Sequence, residues 1–278
     1  MFRNLLVHIP TERSARSAIG GSISLAAACG AHLDAIAVGY ESMSAPISVE
    51  GDAAIWGVYK IERAQAMERA EAAKAIFEAE ARIAGISFGC RAMTAVPAEA
   101  GAIVGASARL HDLAIVSQPE PDRDTYDNRL PQEVLFQAGG PVLFVPHTFR
   151  GRLEAKRIGI CWDGSRLAAR AVHDAMPLLQ RADALTILTI AAGDETPTES
   201  SSEHLLRYLA RVSLPAKLVS ISMDRSDIQP AILSLATDEN LDLLVMGGYG
   251  HSRLQEAVLG GVTRDMIRSM TVPTLMSH

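Results

Sequence analysis

The chain has 278 residues, 48% of them hydrophobic, and a formal net charge of −6. That length allows two domains, and the apolar share supports packed cores. Up to Arg150 there are 13 basic and 17 acidic residues, and beyond it 13 and 15, so neither half has the basic excess that nucleic-acid binding by phosphate neutralisation demands.

Taken in order, the chain reads as one unit written twice. Asn4 to Ile9 is an apolar strand followed by Pro10-Thr11-Glu12-Arg13-Ser14, and Arg157 to Cys161 repeats it before Trp162-Asp163-Gly164-Ser165-Arg166. Each leads into an Ala-rich helix, Ser14 to Ala28 and Arg166 to Leu179, and then a strand, Leu33 to Val38 and Ala184 to Ile190. A long loop is expected over Tyr40 to Lys60, then a helix over Ile61 to Ile83 ended by Gly85; the second copy has the shorter helix Ser202 to Val212. Strands follow at Ser87 to Met93 and Ala216 to Ile221, and helices at Ala98 to Leu110 and Ile228 to Glu239. Asp112 to Val116 answers Asp242 to Met246 as a fourth strand, and Pro141 to Val145 answers Pro273 to Met276 as a fifth. Continuous apolar strands alternating with helices imply parallel sheets covered on both faces. The expected fold is α/β: two tandem, doubly wound, Rossmann-like parallel-sheet domains, residues 1–150 and 151–278, with the join near Phe149 to Ala155 and the last strands paired within the chain.

The chemistry concentrates in Leu241 to Thr263, LDLLVMGGYGHSRLQEAVLGGVT. A buried-type strand runs straight into Gly247-Gly248 and Gly250, and a nine-residue spacer separates Gly250 from Gly260-Gly261. Glycines let backbone N–H groups close on a ligand, and such nests in front of a helix N-terminus attract phosphate. In an open parallel sheet the ligand sits beyond the carboxyl ends of the strands, where the strand order reverses. The first and fourth strands of the second copy end at Asp163 and Gly247, as this rule requires.

The spacing Gly247-x2-Gly250-x9-Gly260, with Val262-Thr263 following, resembles the nucleotide-binding signature of the universal stress protein family. The resemblance covers nearly the whole chain, more strongly in the second half. It implies an adenine nucleotide, ATP, in the second half, with Mg²⁺ or Mn²⁺ as companion ion. Asp163 would contact adenine and ribose, with Ile190 beside the base and Met246 also among the site residues. Gly247, Gly250, Gly260, Gly261, Val262 and Thr263 would surround the phosphates, with His251 in reach of them. Gly261 stands where the family has Ser or Thr, and Asp163 reads equally as a helix N-cap. Trp162 lines or fills the base pocket.

The first half departs from that pattern. Ser117-Gln118-Pro119-Glu120-Pro121 replaces the glycine loop, proline has no N–H to offer phosphate, and Asp122, Asp124 and Asp127 place negative charge where an anion would sit. The first half is expected to keep the fold without the site. The leading functional reading is a stress-response regulatory protein that binds ATP, with an ATP-hydrolysing enzyme and a nucleotide-free scaffold as alternatives. No P-loop is present, and cations are sparse near the site, Arg253 in the spacer and Arg264 after Thr263, so hydrolysis is expected to be slow. Cys29, Cys90 and Cys161 lack metal-type spacing and read as buried thiols of a reducing compartment. With no apolar run long enough for a signal peptide or a membrane span, the expectation is a cytoplasmic protein with no membrane partner, an internal pseudo-dimer that allows a homodimer.

Overall fold

Five strands from each half of the chain hydrogen-bond into one ten-stranded sheet in the computed structural model, which describes residues 1–42, 53–120, 122–191, 198–222, 224–249 and 261–278. The first half runs β1 (Asn4–Ile9), α1 (Arg16–Cys29), β2 (His32–Tyr40), α2 (Ala53–Ala84), β3 (Phe88–Ala95), α3 (Pro97–Ala108), β4 (Leu113–Ser117), α4 (Leu130–Gln137) and β5 (Val142–Val145). The second runs β6 (Arg157–Cys161), α5 (Arg166–Leu179), β7 (Ala184–Ala191), α6 (Ser202–Arg211), β8 (Ala216–Ser222), α7 (Ile228–Asp238), β9 (Leu243–Gly247), α8 (Val262–Ser269) and β10 (Thr274–Ser277). The strand order is β3-β2-β1-β4-β5-β10-β9-β6-β7-β8, so each half repeats the same parallel order. The halves meet where β5 and β10 pair antiparallel, Phe144 opposite Thr274 and Val142 opposite Met276. Their carboxyl edges therefore face opposite ways.

The strands are apolar without interruption because both of their faces are covered. Leu5, Val7 and Ile9 enter one core with residues of α1, α2, α5 and α6. Leu6, Val142 and Phe144 enter the other with residues of α3, α4, α7 and α8. Each core contains residues of both halves, so the β5–β10 junction is packed from above and below as well as hydrogen-bonded. The connecting segment is packed too: Leu153 and Ala155 are buried, and the Leu153 N–H donates to Ser24 Oγ at 2.9 Å.

The internal repeat extends to single side chains. Asp112 accepts from the N–H groups of Arg3 and Asn4 at 2.6 and 2.9 Å, and Asp242 does the same for Lys156 and Arg157 at 2.9 and 3.0 Å. Each carboxylate thus pins the start of its half's first strand to the start of the fourth.

Three expectations need correction. Residues 53–60 are the first turns of α2 and not loop; Trp56 and Gly57 looked like loop residues, but Trp56 packs edge-on against Tyr59 one turn away. The rest of that expected loop, residues 43–52, lies outside the described residues. Helix α4 was absent from the expected elements, because it is only eight residues long and carries Pro131 in its first turn, where proline is tolerated. Of the cysteines, Cys29 is buried, but Cys90 and Cys161 are only partly so. Among the described residues no helix is long and apolar enough to cross a membrane.

Candidate nucleotide site

Strands β6 and β9 are neighbours, with Ile158 opposite Leu243 and Ile160 opposite Val245. From β6 the chain turns into α5 on one face of the sheet, and from β9 it proceeds to α8 on the other. The two carboxyl ends therefore flank the crevice where the strand order reverses. Ser165 caps α5, its Oγ accepting from the Ala168 N–H at 3.1 Å. Asp163 is not the helix cap, which corrects that reading: its Oδ1 accepts from the Ser165 N–H at 2.9 Å, and the carboxylate is exposed. Gly164 between them has φ +75°, which lets the chain turn within two residues.

Gly247 ends β9 against the first turn of α5. A Cβ there would lie 2.7 Å from the Ala168 nitrogen and 2.8 Å from the Leu167 carbonyl carbon, so only glycine lets β9 approach this helix N-terminus. On the other face α8 starts after Gly261, which offers no side-chain cap. Two helix N-termini, with the partial positive charge of their first N–H groups, thus border one crevice.

The walls are partly apolar. Cys161 and Ile190 are half-buried, and Val262 stands half-buried at the start of α8; all three pack against the core that contains Met246. Burial, and secondarily the Asp163 charge, pushes the Cys161 thiol up to about 12, so it presents a protonated, weakly polar surface at neutral pH. Met246 itself is buried within β9. Trp162 turns the other way, into the core under α5 and α6, with its indole N–H donating to the Ser200 carbonyl at 2.8 Å. It neither lines nor fills the crevice on the Cys161 side.

Thr263 is buried, and its Oγ1 accepts from the Tyr249 N–H at 3.1 Å. The hydroxyl thus ties the exit of β9 to the entrance of α8. Gly250, His251 and Gly260, together with Arg253, lie outside the described residues. Thr263→Val keeps the shape and removes this acceptor, so it is expected to lower stability by about 1–2 kcal/mol. Urea unfolding of the two proteins checks this; a difference below about 0.5 kcal/mol, the usual range for inert surface changes, would remove Thr263 from the role.

At the opposite end of the sheet the first half has filled its equivalent crevice with its own side chains. Asp127, fully buried, accepts from the N–H groups of Thr11 and Glu12 at 3.0 and 2.8 Å, and from the Tyr40 hydroxyl at 2.9 Å. Arg13, also buried, donates to the carbonyls of Gln118 and Ser117 at 2.8 and 3.2 Å and lies 3.7 Å from Glu120. The backbone N–H groups after β1, the natural anion donors of this edge, are thus taken by an internal carboxylate. Tyr40 and Arg13 were not singled out in the sequence, where nothing marks them apart from their neighbours.

Residues 154–278 match the model of the universal stress protein family. Universal stress protein MJ0577 of Methanocaldococcus jannaschii is 38% identical over 45 residues, which is 16% of this chain and 28% of that protein. Universal stress protein Slr1230 of Synechocystis is 38% identical over 47 residues, 17% of this chain and 16% of that protein. The matches therefore span well under two thirds of these relatives. A universal stress protein from Archaeoglobus fulgidus has the same fold, with TM-score 0.73 and 14% identity, over 99% of this chain and 97% of that one. The cytoplasmic domain of a prokaryotic cation chloride cotransporter is similar in fold at TM-score 0.53 and 12% identity, over 99% and 95% of the two chains. With two tandem parallel units on one sheet, a glycine-ended β9 at the strand reversal and this family match, residues 154–278 are a universal stress protein domain.

Proposed function

We propose that the chain is a regulatory protein in which the unit 151–278 binds one adenine nucleotide, ATP, while the unit 1–150 binds none. The observation that carries this reading is the pair of helix N-termini at one crevice, with β9 brought against α5 through Gly247. Such an arrangement favours phosphate without needing a lysine. Asp163, exposed beside it with Oδ1 on the Ser165 N–H, has further acceptor capacity for ribose hydroxyls or the adenine amino group. Cys161 and Ile190 offer the apolar wall a base requires, and Gly261, Val262 and Thr263 supply backbone N–H groups for phosphate. The assignment extends to Gly250, His251 and Gly260 through the family's G-x2-G-x9-G spacing. Among the described residues no three His, Cys, Asp or Glu are grouped to hold a metal ion. A companion Mg²⁺ or Mn²⁺ would accordingly be held mainly by the phosphates.

The occupied state would act by population shift, favouring one arrangement of loop and sheet through differential affinity. Backbone N–H groups bind ground and transition states about equally, which retains ATP without accelerating its hydrolysis. Calorimetry with ATP, followed by mass spectrometry of nucleotide released from gently purified protein, tests the reading. One ATP per chain is expected, with turnover far below the order of 1 s⁻¹ seen in working enzymes. No binding, or two equal sites, overturns it; fast turnover makes the protein an enzyme instead.

A further inference from the structure

The end of β9 is held by residues of the other half of the chain. Phe136, on α4, has its ring centroid 4.9 Å from that of Tyr249 and 4.8 Å from that of His278, tilted to the first and edge-on to the second. His278 places Nδ1 3.1 Å from the Gly248 carbonyl, and the Gly248 N–H donates to the Ser277 carbonyl at 2.9 Å. A Cβ on Gly248 would meet Leu135 Cδ2 at 3.3 Å, so α4 lies directly over this backbone.

Tyr249 is buried and has φ +57°, a left-handed backbone that non-glycine residues avoid and that persists only where the surroundings impose it. Those surroundings include the Phe136 ring on its side chain and the Thr263 hydroxyl on its N–H. One of these two restraints comes from the first half.

We propose that Phe136 is a positioning residue for the second half's site: the first half, its own crevice filled by Asp127, serves as the brace that sets the Gly247–Tyr249 backbone. This rests on the nucleotide reading only for the ligand, since the brace itself is a matter of loop geometry. The consequence is that the two halves make one binding unit, with the loop after β9 of the second half set by a helix of the first.

The test uses the full chain with Phe136→Ala, Phe136→Leu and Phe136→Tyr. Hydrogen exchange at the Gly248 and Tyr249 amides reads the brace without ligand; ATP calorimetry reads its effect on the site. An aromatic pair is worth enough to shift a local equilibrium about tenfold. Phe136→Ala is expected to speed exchange at both amides about tenfold and weaken ATP about tenfold. Phe136→Tyr should recover both, while the amides of α1 and β1 stay as in the wild type. If Phe136→Ala is too unstable to study, Phe136→Leu, which keeps an apolar side chain on α4 without the ring, decides by the same amides. Unchanged exchange at Gly248 and Tyr249, or an equal rise throughout the sheet, overturns the proposal. Wild-type protein that binds no ATP refutes the nucleotide reading and leaves the exchange result to judge Phe136 alone.

Discussion

Asp127→Ala is expected to lower stability by about 3–5 kcal/mol, the range for breaking a buried charged network by removing one partner. The carboxylate takes three hydrogen bonds, from Thr11 N–H, Glu12 N–H and the Tyr40 hydroxyl, in a site with no exposure. Alanine leaves those donors without their acceptor and Arg13 without one of the two carboxylates that favour its charge. Asp127→Asn should lose less, about 1–2 kcal/mol, because its amide oxygen still accepts and the Tyr40 hydroxyl can turn to accept from the amide nitrogen. Urea unfolding at pH 7 measures both. A further readout separates an internal anion from a merely packed side chain. If the Thr11 and Glu12 N–H groups form a nest, acetate or formate should enter the space left in the alanine variant. Adding either would then stabilise that variant more than the wild type, by mass action on the folded state. An alanine variant within about 1 kcal/mol of wild type, indifferent to acetate, would show that the network adds nothing beyond what an ordinary surface change does.

What the sequence revealed, and what it hid, follows from how far each signal reaches along the chain. The strands were legible because each is a local apolar run, and the repeat because Asp112 and Asp242 stand at equivalent places before such runs. Gly247 was legible because a glycine at the end of a buried strand is a local anomaly. The partner that explains it, the backbone at Leu167 and Ala168, was not. The negative charge of Asp127 was visible, but its hydrogen bond to Thr11 spans 116 residues, so its occupation of the crevice was not. Phe136 was invisible for the same reason: its partners Tyr249 and His278 belong to the other half. Asp163 and Ser165 compete locally for the same cap, and residue type alone does not decide between Asp and Ser, which are about equally good; the geometry gave the cap to Ser165.

Acid should destabilise the protein through His8, the second of the two large effects. His8 lies on β1 with 1% exposure, and neither ring nitrogen has a hydrogen-bond partner. Asp127 Oδ1 lies 3.8 Å from its Nε2, too far for a hydrogen bond. Burial first, and the Arg13 charge second, hold the imidazole down to about 3, against 6.5 when free. The folded state therefore keeps His8 neutral while the unfolded chain takes up a proton below about pH 6.5. Between those values the unfolded state binds more protons, so stability is full above pH 6.5 and falls as pH drops towards 3. At about 1.4 kcal/mol per pH unit, the loss at pH 5 is about 2 kcal/mol, and it grows below that. Asp127 works in the opposite sense: burial raises its carboxyl above 3.8, so the folded state gains protons first in the window just above that value, which offsets part of the slope there. Tyr40 is raised well above 10.0 and takes no part in this range. His8→Leu separates the two carboxylate and imidazole contributions, because it removes a polar ring that gives up no hydrogen bond and leaves Asp127 in place. At pH 7.5 the variant should be within about 1 kcal/mol of wild type, as a volume-conserving core change usually is. At pH 5 it should have gained about 2 kcal/mol on the wild type. Urea unfolding across this range gives both curves; parallel curves would mean that His8 finds a proton acceptor in the folded state, and the acid sensitivity would then belong to other groups.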